Sequence, residues 1–217
     1  MPGGLNKERK SEMKEYQCTV ERFLKDTQQH KIAIIKDESV YRHIRLSKGS
    51  FDGCYDVLTW PGHLCITGDY GSYLFARIED MFEFFRSKSG ELKINPGYWD
   101  EKVLSESRFG GGVQEFSVEE FTKYVSEVVT DGIENEEEKA AMMEEIDDLL
   151  HCGDEYECNE AIANFDSDKI DFTDFWEHDC KVYTFHFIWC LYAIVFAIQK
   201  YDELKANPPI DGKDGNR

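Results

Sequence analysis

The sequence predicts an α+β protein: an antiparallel β-meander of about five strands backed by helices, joined to an acidic C-terminal helical subdomain that contains a long buried C-terminal helix. Three observations carry this. Five short runs rich in β-branched and aromatic residues crowd into residues 31–78 with brief connectors between them. After residue 113 the apolar spacing changes to the helical period. Near the end, Val182 to Ile198 is apolar almost throughout.

Taken in order, residues from Leu5 to about Gln29 read as a helix, with Met13, Tyr16, Val20, Phe23 and Leu24 on one side. The strand runs are Lys31–Ile35, Tyr41–Leu46, Tyr55–Trp60, His63–Thr67 and Ser72–Ile78. Ser47–Ser50, Pro61-Gly62 and Gly68–Gly71 connect them, and such short connectors admit only antiparallel hairpins. Ile78, Met81, Phe82 and Phe85 then recur at helical spacing and are expected to lie on the sheet. Pro96-Gly97 breaks the chain before Tyr98 and Trp99, and Arg108–Gly112 reads as a joint.

Beyond the joint, Ser117 with Glu120 and Asn135 with Glu138 start two helices. Asp131-Gly132 stops the first. A short helix is expected around Asn159–Phe165, and a final one from about Phe172 to Leu204, apolar nearly all round and so wrapped by the other helices. The implied organisation is 1–107 for the first helix, sheet and covering helix, 113–206 for the acidic helical subdomain, and 207–217 for a flexible tail.

The 217 residues, 41% of them apolar, suffice for a packed core. No basic stretch precedes an apolar one at the start, so no secretory signal is expected, and Val182–Ile198 falls short of a comfortable membrane span. Seven cysteines without a CxxC pair read as reduced thiols in a cytoplasmic protein. The formal charge of −19 is unevenly spread: residues 111–180 carry 3 basic and 23 acidic groups, whereas residues 1–50 carry 11 and 7. Such a block repels nucleic acid and attracts basic surfaces.

Motifs for chemistry are sparse. His63 and Asp69, flanking the strand after Trp60-Pro61-Gly62, could form an acid/base pair with Arg77 as an anion clamp and Trp99 nearby; the turn-forming reading of the same residues competes with it. Tyr41, His43 and Arg45 share one strand face, with Arg42, Ile44 and Leu46 on the other. His151, Cys152, Cys158, His178 and Cys180 could supply zinc ligands, but their spacing fits no standard module, and no metal site is assigned. Asp166 and Asp168 resemble the opening of a calcium loop that lacks its next acid and its glycine, so they read as solvated, with Asp171 or Thr173 as a helix cap. No phosphate loop, dinucleotide fingerprint or hydrolase elbow occurs, and no cofactor is expected.

The acidic block is the main candidate site: Glu134, Glu136, Glu137, Glu138, Glu144, Glu145, Asp147, Asp148, Asp154 and Glu155, with Lys139 the single cation among them. Helical surfaces ordinarily mix signs to gain i,i+4 pairs. A surface without that mixture suits a basic partner or imitates the DNA phosphate array.

The stretch from Asp56 and Thr59-Trp60-Pro61-Gly62 through Leu64, Ile66, Gly68-Asp69, Gly71, Phe75, Arg77 and Glu79-Asp80-Met81-Phe82 to Phe84-Phe85, followed by Asn95-Pro96 and Tyr98-Trp99, resembles a family of uncharacterised proteins encoded by tailed phages and prophages. The match spans about residues 40–102, under a third of the chain. It implies a phage or prophage gene acting in bacterial cytoplasm, and it carries no catalytic residues. Small acidic phage proteins often inhibit host defence, including as anti-CRISPR proteins and DNA mimics.

The leading expectation is therefore a non-enzymatic binding protein that uses its acidic face against a basic host protein, without touching nucleic acid or membrane. A small-ligand binder or enzyme at the sheet edge is the alternative. A structural or regulatory phage protein acting as a homo-oligomer is the third.

Overall fold

A computed structural model describes residues 18–87, 89–108, 112–149, 154–165 and 178–208, together with Ile170, Phe172 and Phe175. The side chains of residues 147–149 lie outside the description, as do His151, Cys152, Asp166, Asp168, Asp171 and Thr173. The chain divides into two compact units. One holds the described residues up to Val113 and from Tyr183 onward; the other is Gln114–Val182.

The first unit is built on a six-stranded antiparallel meander, in sequence order: β1 (Lys31–Glu38), β2 (Tyr41–Ser47), β3 (Tyr55–Trp60), β4 (His63–Gly68), β5 (Gly71–Ala76) and β6 (Val103–Glu106). Five of these are the strands expected from sequence. The sixth has four residues, too few for alternation to register, and a bulge disturbs its pairing with β5. Alternation decides which face is buried. Ile44, Leu46, Tyr55, Val57, Leu64, Ile66, Tyr73 and Phe75 point into the core, while His43, Arg45, Asp56, Thr67 and Ser72 take the other face.

Two glycines are required by the meander. Gly62 turns the β3–β4 corner at φ +77°, beside Pro61. A Cβ on Gly68 would stand 2.4 Å from the Cys54 carbonyl oxygen, so β4 can close on β3 only with glycine there.

Helices cover the inner face. α1 (Val20–Thr27) is capped by Thr19 and buries Phe23. α2 (Met81–Phe85) starts at the Asp80 cap and buries Met81, Phe82 and Phe85, while Ile78 lies outside it, 41% exposed. Pro96 does not break the chain. It occupies the first turn of α3 (Pro96–Asp100) behind the Asn95 cap, where its missing N–H leaves nothing unsatisfied.

The last helix, labelled α7 in chain order, spans Phe185–Ala206 and buries ten residues, from Phe187 and Trp189 to Ile198 and Tyr201. Among the described residues no helix is long and apolar enough to cross a membrane. Two expectations about this helix need correction. It starts at the Thr184 cap, twelve residues later than expected, because Lys181–Tyr183 is extended. It also packs with the sheet, α1 and α2, in one cluster that includes Phe23, Tyr55, Phe75 and Phe82, and is not simply wrapped by the helices before it. A helix apolar nearly all round over Phe187–Ile198 needs apolar surroundings, and the inner sheet face supplies them.

One ion network ties the sheet edge to the helices. Arg42, on the core side of β2 with its side chain 10% exposed, holds Asp80 through two bonds of 2.8 and 2.9 Å while its guanidinium lies over Phe82. Asp80 also accepts from the Phe82 N–H (3.0 Å). Asp37 accepts from the Tyr201 hydroxyl (2.9 Å) and pairs with Lys205 (2.6 Å). Burial works against both charged carboxylates, yet the bonds to Arg42 at Asp80, and to Lys205 and Tyr201 at Asp37, hold each below its ordinary pKa.

The second unit contains α4 (Val118–Gly132), α5 (Glu136–Leu149) and α6 (Glu155–Ala163). Its own apolar cluster includes Phe121, Val125, Val129, Ile146, Cys158, Ile162 and Phe175. β7 (Gln114–Phe116) and β8 (Lys181–Tyr183) pair where the chain enters and leaves the segment. Just outside it, within the first unit, the Thr184 N–H donates to the Val113 carbonyl (3.0 Å), and the Gly112 carbonyl accepts from the Tyr73 and Thr184 hydroxyls at 2.9 and 2.7 Å. The segment's two ends are thus already joined by the first unit's own bonds.

Two outcomes follow. Arg42→Met leaves the partly buried Asp80 carboxylate without its cation, while Asp37 keeps Lys205, and lowers stability by about 3 kcal/mol in urea unfolding. Asp80 titrates below the unfolded value of about 3.9, so its contribution is complete above about pH 5 and disappears as pH falls through its folded pKa; the variant loses less stability than the parent on acidification below about pH 4. Separately, replacing residues 114–182 by a short Gly-Ser linker leaves a protein with a cooperative thermal transition. A chain without near-ultraviolet circular dichroism would refute that independence.

Candidate functional site: an acidic helical unit

Residues 114–182 hold 23 acidic and 4 basic groups, and the remainder of the chain holds 21 of each. The whole formal charge of −19 therefore belongs to the second unit. Each described lysine of that unit is paired with a carboxylate of the same unit: Lys123 with Glu120 (3.2 Å), Lys139 with Glu136 (3.0 Å) and Lys181 with Asp179 (3.6 Å).

Local structure explains part of this distribution. Asn135 Oδ1 accepts from the Glu137 and Glu138 N–H groups at 2.9 and 3.2 Å, so Glu136, Glu137 and Glu138 form the first turn of α5. Asp154 caps α6, accepting from the Glu157 N–H (2.9 Å), with Glu155 and Glu157 in the first turn. Ser117 caps α4 through the Glu120 N–H (3.2 Å), with Glu119 and Glu120 beside it. The Ser117 N–H, which Glu120 would accept in a capping box, donates instead to the Cys180 carbonyl (2.9 Å). Negative charge at a helix N-terminus is favourable by about 0.3–1 kcal/mol per group.

The helix dipole does not account for the rest. No basic residue occupies the last turn of α4, α5 or α6. Glu144 and Glu145 lie on α5 away from its first turn, both exposed, and Asp147 and Asp148 follow them on the same helix. Glu134 is exposed in the α4–α5 connection. Eight of the ten acidic residues singled out from sequence have described side chains, and all eight are exposed on this unit.

Sequence reading missed one local arrangement. The Tyr124 hydroxyl is hydrogen-bonded to His178 Nε2, and the two rings lie tilted by 36° with centroids 3.8 Å apart. They line a shallow cavity of about 160 Å³ with Glu120, Lys123, Glu127, Asp179 and Cys180. Burial, then Asp179, Glu120 and Glu155, push the Cys180 thiol above its usual pKa. Tyr124 and His178 stand 54 residues apart, and no spacing rule links them.

The alternative site at the sheet edge is not assembled. His63 opens β4 and Asp69 follows its last residue, Gly68, so the two are separated by the full length of the strand, about 17 Å at 3.3 Å per residue. His63 donates from Nδ1 to the Pro61 carbonyl (2.9 Å) and stacks on Trp60, its register partner. Arg77 is exposed at that same end, its N–H bonded to the Gly62 carbonyl (3.2 Å). Asp69 accepts from the Gly53 N–H (2.5 Å) and donates its own N–H to the Cys54 carbonyl (3.2 Å), closing the β2–β3 loop onto the β4–β5 turn. Trp99 is a core residue, 7% exposed and packed edge-on against Phe85.

On the open sheet face, His43 and Arg45 both turn to Asp56, with contacts of 2.9 Å. Both side chains are thus engaged by that one carboxylate. Among the described residues no group of three or more His, Cys, Asp or Glu side chains is placed to hold a metal ion. Among the described residues, Cys158, Cys180 and four other cysteines form no disulfide.

Comparison with protein-family models, with curated protein sequences and with solved structures finds no match for this chain.

The separation of His63 from Asp69 is testable by a double-mutant cycle. Asp69→Ala costs about 1–2 kcal/mol through the lost loop bond. Combined with His63→Ala, the two effects add within about 0.5 kcal/mol, as for independent sites. A coupling energy above about 1 kcal/mol would mean that the two residues act together.

Proposed function

We propose that this chain is a phage-encoded acidic binding protein that inhibits a host defence or nucleic-acid-handling protein, in the manner of an anti-CRISPR protein or DNA mimic. The carrying observation is the segregation of charge: the whole net charge resides on residues 114–182, a unit whose described helical carboxylates are exposed and whose described lysines are engaged within it. A surface of this kind accelerates encounter with a positive groove and competes there with phosphates. Phage origin and action in bacterial cytoplasm rest on the resemblance over residues 40–102. The sheet-edge alternative has lost its support, because its acid and base stand at opposite ends of a strand.

The test is affinity capture from bacterial lysate by the full chain and by a variant with Glu136, Glu137, Glu138, Glu144 and Glu145 replaced by lysine. Circular dichroism first establishes that the variant is folded. The wild type is expected to retain a basic protein at about 0.1 M salt and to release it as the Debye length falls from about 10 Å to about 3 Å near 1 M. The variant is expected to retain none at either salt. Retention of the same protein by both chains, insensitive to salt, would overturn the proposal.

A further inference from the structure

We draw no further inference here: the strongest candidate, the shallow cavity beside α4 where Tyr124 and His178 pair among Glu120, Glu127 and Asp179, is a carboxylate cluster with its own lysine already in place, and nothing in the structure points to a ligand for it.

Discussion

Repulsion among carboxylates is the constraint under which residues 114–182 must fold. With 23 acids against 4 bases, the segment gains little from the i,i+4 pairing that supports most exposed helices. What opposes the repulsion is one apolar cluster, in which Phe121, Val125 and Val129 recur along α4 and meet Ile146, Cys158, Ile162 and Phe175 from the rest of the unit. Helix N-termini relieve some of the cost at Glu119, Glu120, Glu136–Glu138, Glu155 and Glu157. Glu144 and Glu145 have no such relief. A sequence under selection for stability alone would alternate signs there.

The first unit solves the opposite problem. Its charges balance, and those nearest the core are matched individually: Arg42 with Asp80, Arg86 with Asp202 at 2.8 Å, and Asp37 with Lys205 and Tyr201. Its stability comes from a helix apolar along most of its length laid on one face of a meander whose β3, β4 and β5 alternate regularly. Gly68, which no side chain could replace, and Asp69, which joins two loops, keep the far end of that meander closed. The Trp-Pro-Gly and Gly-Asp-Tyr-Gly corners are accordingly parts of a scaffold. The bonds among Gly112, Val113 and Thr184 complete that scaffold without reference to the segment between them.

Most of the sheet was legible because its signals are local. Period-two burial, short connectors and Gly62 placed β2, β3 and β4 within a residue of their observed ends. β6 escaped because four residues carry no period. The start of α7 was misplaced because apolar content extends past its true cap at Thr184, and hydropathy does not distinguish Lys181–Tyr183 as strand from helix. The packing of that helix was misread for a different reason: it lies far in sequence from β1 and β5, and only tertiary structure brings them together. The acidic surface was legible as composition. The neutrality of everything else emerged only when the boundaries at Val113 and Tyr183 were known. The His63–Asp69 pairing failed on strand geometry, since the whole of β4 lies between residues that look close on paper.

Hydrogen exchange as a function of salt tests the central claim most directly, since it reads each unit separately. If the second unit carries a concentrated, largely uncompensated negative charge, protection of the α4 to α6 amides rises as salt is raised from about 0.01 M to about 1 M, shortening the Debye length from about 30 Å to about 3 Å. Protection of β3, β4 and α7 then changes little. Protection in α4 to α6 that is unaffected by salt, or that falls with it, would contradict the account.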